Sequence, residues 1–282
     1  MEQTNIRIAI LDLYNNEENQ GMRCIQDILK ETDGKYDRVK ICYDIYEVRY
    51  KNDAPDQSYD IYISSGGPGS PFEGVGMPWE ASYFKLLDKL VANNENPANR
   101  KKYIFFICHS FQMMVRYFKL AEIVKRERRA FGIFPIYKTE SGLSDPLLCN
   151  LANPFYAADF REWQVLNPDS EVLDKTGAEI LAIERERPDF PENRALMAIR
   201  ISDEIVGTQF HPEADPSSMI YHFRQPERKQ QVINEFNENA YYEMLQHLEE
   251  PDNIIRTKNC ILPGFLVSAI DSMTVGKLES VL

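Results

Sequence analysis

Within the first 120 residues, short continuous apolar runs alternate with stretches of helical periodicity, and this alternation leaves few folds open. Residues 6–13 (Ile-Arg-Ile-Ala-Ile-Leu-Asp-Leu) are apolar and β-branched and read as a buried first strand. Residues 21–30 place Met22, Ile25, Ile28 and Leu29 at helical spacing. Residues 38–45 read as a second strand. Residues 59–64 read as a third, which stops at the turn-forming cluster Ser-Ser-Gly-Gly-Pro-Gly-Ser-Pro (64–71). A helix is predicted over 80–93, then a strand over 103–108 that runs directly into a helical pattern over 110–119. Apolar strands alternating with helices imply a mostly parallel central sheet covered by helices on both faces, an α/β fold.

Beyond residue 120 the pattern changes. Residues 121–139, 178–184 and 195–201 read as strands joined by turns, and 205–210 as a short strand ending at His-Pro-Glu. The α/β domain is expected to span 1–223. Residues 224–282 form a C-terminal helical extension, with one amphipathic helix over 227–248 and another within 261–282. Packing on the domain is the reading preferred for that extension, over a free partner-binding element.

Charge narrows the function classes. With 44 acidic against 32 basic residues, the net charge of −12 would repel phosphate, so nucleic acid is not an expected partner. The most basic stretch, Lys-Arg-Glu-Arg-Arg (125–129), reads as a solvated strand or loop. No stretch approaches ~18 apolar residues and no long apolar leader opens the chain, so neither membrane span nor signal peptide is expected. The five cysteines (24, 42, 108, 149 and 260) are scattered, odd in number and lack a Cys-x-x-Cys pair. They make a poor disulfide framework and a poor zinc site. A cytoplasmic setting with no metal and no cofactor is the expectation.

Three elements carry chemistry. Cys108 ends an apolar strand just before a helix, where unpaired N–H groups and the positive dipole end favour a thiolate and an oxyanion. Taken alone, a cysteine there is more often a small core residue. In Gly-Thr-Gln-Phe-His-Pro-Glu (207–213), Pro212 biases His211 toward extended geometry, and Glu213 two residues on points to the same side. A base held in one tautomer by a carboxylate is triad logic, though a strand-end histidine beside a solvated carboxylate is the plainer alternative. Of the four histidines, His222 and His247 lie in the helical tail and His109 adjoins the cysteine, so His211 is the best base available. The third element, Gly66-Gly67-Pro68-Gly69, is a glycine-rich turn after a strand that can aim N–H groups at an anion. It lacks the Gly-Lys-Ser/Thr of a P-loop.

In this order the three elements resemble the class I glutamine amidotransferase family, most closely the glutaminase domain of GMP synthase. The family has a Gly-Gly-Pro-Gly loop, a Cys-x-Gly-x-Gln elbow and a distal His-Pro-Glu, matched here at 66–69, 108–112 and 211–213. The resemblance covers about residues 6–223 and implies a flavodoxin-like fold. It implies that Cys108 attacks the glutamine amide carbon, that His211 handles the protons and that Glu213 orients His211. Backbone N–H groups of Gly67 and His109 would form the oxyanion hole, and Gln112 and Gly69 would help hold substrate. Three positions depart from the family pattern: Phe106 and Ser110 replace the usual elbow glycines, and Arg161 stands where a substrate-contacting histidine is common. Arg161 is read either as a partner for a carboxylate of a different γ-glutamyl compound or as structural.

The leading expectation is a glutaminase that supplies ammonia to an unidentified acceptor. No region resembles a synthetase, so a separate synthetase subunit is an expected partner, and a homodimer is a further expectation. Two alternatives stand beside it: a stand-alone γ-glutamyl hydrolase or peptidase with the same triad, favoured by Arg161 and by the lack of a synthetase region, and a non-catalytic binding protein, favoured by the two altered elbow positions.

Overall fold

The computed structural model describes residues 3–186, 194–235, 237–249 and 252–279. Its centre is one nine-stranded sheet. Strands β1 (Thr4–Asp12), β2 (Val39–Glu47), β3 (Ile61–Ser64), β4 (Tyr103–Ile107) and β9 (Ile205–Thr208) pair in parallel, in the order β2-β1-β3-β4-β9. Every residue of β3 and β4 is buried, as strands covered on both faces must be.

The rest of the sheet is antiparallel. Strand β9 continues through β8 (Leu196–Ser202), β7 (Glu179–Glu184), β5 (Ala121–Lys138) and β6 (Phe155–Pro168). The α/β class expected from sequence is present, but the parallel character stops at β9. The reason is the short turn between β8 and β9, which are joined by Asp203 and Glu204 alone and so pair antiparallel, as β7 and β8 do.

Helices cover both faces. Helix α1 (Gln20–Asp33) packs on one face, and Asn19 caps it by accepting from the Gly21 N–H. After the one-turn α2 (Val48–Lys51), the long α3 (Pro78–Glu95) and α4 (His109–Phe118) cover the other face. Two short helices, α5 (Glu140–Ser144) and α6 (Ser170–Thr176), connect strands. The tail forms α7 (Pro216–Arg224), α8 (Pro226–Glu235), α9 (Glu238–Glu249) and α10 (Asp252–Glu279). The single helix expected over 227–248 is thus two, α8 and α9. None of the described helices is long and apolar enough to cross a membrane.

Helix α10 completes a face of the sheet. Ile261, Leu262, Phe265, Leu266, Ala269 and Ile270 join Ile6, Ile8, Tyr103 and Phe105 in one buried cluster. The Phe265 ring lies 5.2 Å from that of Phe105, edge to face. Phe265→Ala is expected to destabilise the chain by about 3–5 kcal/mol, read from the urea unfolding midpoint. An unchanged midpoint would mean that α10 adds nothing to the core.

Candidate active site

Cys108 occupies the sharp turn between β4 and α4, with φ 50° and ψ −100°. A side chain at positive φ is strained, and such strain persists only where the surroundings enforce it. Here the Cys108 N–H donates to Thr208 O at 2.8 Å, and the Gln112 N–H donates to Cys108 O at 3.1 Å. The thiol is 5% exposed.

Ser110 and Phe106 both find places in this turn. The Ser110 hydroxyl accepts from the Ile107 N–H at 2.8 Å and donates to Ser64 O at 2.7 Å. It ties the elbow to β3, which a glycine there could not do. Phe106 is fully buried in the cluster that includes Phe111 and Met114. The close approach of α4 to the sheet is met on the neighbouring strand instead, at Gly207, which is Phe106's partner in β9. A Cβ on Gly207 would lie 2.9 Å from the Phe111 ring.

His211 follows β9. Its N–H donates to Ala158 O at 2.8 Å, and its Nδ1 lies 2.8 Å from Glu213 Oε1. Glu213 is 1% exposed. Burial works against charge on His211, but Glu213 and Cys108, through charge and hydrogen bonds, outweigh it and hold its pKa well above the ordinary value. A histidine charged in this way stabilises a thiolate beside it. Strand β6, last in the sheet order, curls back over this pair, so that Phe160 O lies 3.6 Å from Cys108 Sγ.

The glycine turn after β3 forms the next wall. Gly67 packs so tightly that a Cβ there would lie 2.5 Å from Leu13 O. Arg49, nearly buried, donates to Leu13 O at 3.1 Å and to Pro68 O at 2.7 Å, and its guanidinium also pairs with Glu73. Gly69 adopts φ +84°. The His109 N–H opens α4, where no helical carbonyl can reach it. The His109 ring itself is kept neutral: burial first, then Arg49 and Arg116, lower its pKa to about 3. A ring held neutral in this way is a poor base at neutral pH.

Cys108, His211, Glu213, Gly67, Gly69, His109, Gln112 and Arg161 all line one cavity of about 640 Å³. It opens beyond the C-terminal ends of β1, β3 and β4, where open α/β sheets place ligands. Gln112 is 2% exposed and donates to Gln209 Oε1 at 3.0 Å and Trp163 O at 3.2 Å. Arg161 is 3% exposed, with Nε 2.9 Å from Asp159 and Nη2 3.2 Å from Glu184, while Nη1 and Nη2 make no hydrogen bond among the described residues. That environment fits the structural reading of Arg161.

Other residues at the site carry no local motif. Gln209 Nε2 lies 3.7 Å from Cys108 Sγ, and alternation from His211 would have placed it on the same side of the chain. Tyr14, 5% exposed, lines the cavity, and burial followed by the charges of Glu213 and Cys108 raises its pKa. Such an arrangement can deprotonate a thiol, hold it against a carbonyl carbon and receive an oxyanion on backbone N–H groups.

The family model for glutamine amidotransferase class-I matches residues 24–224. No curated protein matches the chain. Among solved structures, a glutamine amidotransferase from Thermotoga maritima superposes with TM-score 0.61 at 16% identity, over 95% of this chain and 97% of that one. A GMP synthase-type protein from Thermoplasma acidophilum gives 0.54 at 16% identity, over 96% and 98%. The glutaminase domain of Trypanosoma brucei CTPS, with acivicin bound, gives 0.52 at 14% identity, over 92% and 98%. These likenesses show a shared fold.

Proposed function

Because the chain belongs to the class I glutamine amidotransferase family, a family of cysteine-dependent enzymes, we propose that it hydrolyses the side-chain amide of glutamine through a thioester on Cys108. The observation that carries this reading is the meeting, in one cavity, of a strained strand-to-helix cysteine with a histidine bonded to a buried carboxylate.

In this reading the Cys108 thiolate attacks the amide carbon, and the resulting oxyanion rests on the N–H groups of Gly67 and His109. The His211 imidazolium gives its proton to the leaving nitrogen, and the C–N bond breaks to release ammonia. Neutral His211 then takes a proton from water, whose oxygen attacks the thioester. The C–S bond breaks to release glutamate and restore the thiolate–imidazolium pair. Glu213 holds His211 in one tautomer throughout. Gln112 and Gly69 contribute to the substrate wall. The ammonia passes to a separate synthetase subunit. The test is equimolar glutamate and ammonia release from glutamine; absence of both, with and without a synthetase partner, would refute the reading.

The size of the cavity favours a second reading. At about 640 Å³ it is in the range of sites for drug-sized ligands and exceeds what one amino acid occupies. A γ-glutamyl conjugate, cleaved by the same steps with an amine in place of ammonia, would fill more of it.

A further inference from the structure

The basic run at 125–129 does more than face solvent. In the β5–β6 ladder, Lys125 pairs with Trp163 and Ala130 with Arg161, so residues 126–129 stand opposite Glu162 alone. A bulge of this kind bends a strand and re-aims its side chains, and bulges recur beside active sites. Lys125, Glu127 and Arg128 are exposed, whereas Arg126 and Arg129 turn inward.

The two inward arginines meet different surroundings. Arg126 joins Arg161, Asp159 and Glu184 in a buried network, with Arg126–Glu184 at 2.9 Å and Arg161–Asp159 at 2.9 Å. Two guanidinium groups there balance two carboxylates. Arg129 lies outside that balance. Its nearest carboxylate is that of the half-exposed Glu162, at 3.9 Å. Its Nε is buried and has no hydrogen-bond partner among the described residues. The guanidinium lies 5.3 Å from the centre of the Phe131 ring, which orients it. Both Arg129 and Phe131 line the cavity that contains Cys108 and His211.

We infer that Arg129 is a substrate-anchoring residue that receives a carboxylate of the γ-glutamyl substrate. The Arg129 side chain is a third exposed and lines the cavity, and a guanidinium can meet a carboxylate in a two-bond fork. Two carboxylates fit this chemistry: the α-carboxylate of the glutamyl unit and a carboxylate on the departing amine. The inference rests on the reading of Cys108 as nucleophile.

The experiment measures kcat and KM for Arg129→Gln with L-glutamine, L-glutamine α-amide and γ-L-glutamylglycine. Arg128→Gln, an exposed neighbour of equal charge, serves as control and keeps wild-type kinetics. If the α-carboxylate is anchored, KM for glutamine rises about ten- to a hundredfold. Wild type then handles the α-amide as poorly as the variant does. If the departing side is anchored, only KM for γ-glutamylglycine rises by that factor. Either result supports the role. Unchanged KM for both carboxylate substrates overturns it. Alkylation of Cys108 by neutral iodoacetamide separates the two claims, because Arg129→Gln preserves it. Turnover surviving in Cys108→Ala would instead sink the underlying mechanism.

Discussion

Cys108→Ala lowers glutamine hydrolysis by about 10⁴-fold or more, to the residual level that binding and an oxyanion hole alone provide. The loss is this large because no neighbour can replace the sulfur. The other thiol at the cavity, Cys24, is pushed up to about 12, by burial first and then by Asp215 and Glu213, and is a poor nucleophile at neutral pH. The variant folds as the wild type does. The turn at residue 108 is held by backbone bonds to Thr208 and Gln112, and Ser110 ties the turn to β3, so none of these contacts uses the thiol. An unfolding midpoint close to wild type, together with the lost activity, separates chemistry from stability.

Glu213→Gln has the second largest expected effect, a fall in kcat/KM of about 10³- to 10⁴-fold with the fold retained. The amide preserves size but removes the charge that favours imidazolium at His211. Burial is then opposed by Cys108 alone, and the His211 pKa falls. The alkylation rate of Cys108 at neutral pH falls with it, because fewer molecules hold the thiolate–imidazolium pair. The same shift enters stability with a definite sign. A histidine whose pKa is raised in the folded state contributes stability that is full below its unfolded value, about pH 6.5, and lost as pH rises through the folded value. Wild type therefore loses that contribution on alkalinisation, and Glu213→Gln has less to lose. Equal pH dependence of unfolding in the two proteins would mean that Glu213 does not set the charge on His211.

Much of this site was legible in the chain because the residues that meet are short-range signals at strand ends. A cysteine closing an apolar run, a His-Pro-Glu after a short strand and a glycine turn each mark the end of one parallel strand. A parallel sheet gathers those ends at one edge. The buried strands β1, β3 and β4 were readable for the same reason, as continuous apolar runs.

What escaped depends on long-range contact. Strand β6 hides its pattern because Asp159, Arg161 and Gln164 are buried in it as polar residues, Arg161 paired with Asp159 of the same strand and with Glu184 on β7, and Gln164 with Arg126 on β5. Its role as the lid strand over Cys108 comes from the β5–β6 hairpin and has no local signature. Arg49 supports the glycine turn from α2, and Tyr14 reaches the cavity from the end of β1, each by tertiary geometry alone. In the basic run at 125–129, charge suggested solvent, and only the bulge shows that Arg126 and Arg129 turn inward. The tail was ambiguous because α10 contains Pro263 and an apolar surface broad enough for either a core or a partner. Its contact with Phe105 settles the described part in favour of the core.

The most direct measurement treats the protein with a diazoketone analogue of glutamine and locates the adduct by peptide mass spectrometry. The diazo carbon takes a proton, the thiolate then displaces nitrogen from it, and the label stays on the nucleophile as a thioether. A single adduct on the peptide carrying Cys108, blocked by excess glutamine and absent from Cys108→Ala, is the predicted result. An adduct on Cys24 or another cysteine, or labelling that persists in Cys108→Ala, would contradict the assignment of Cys108 as the glutamine-attacking residue.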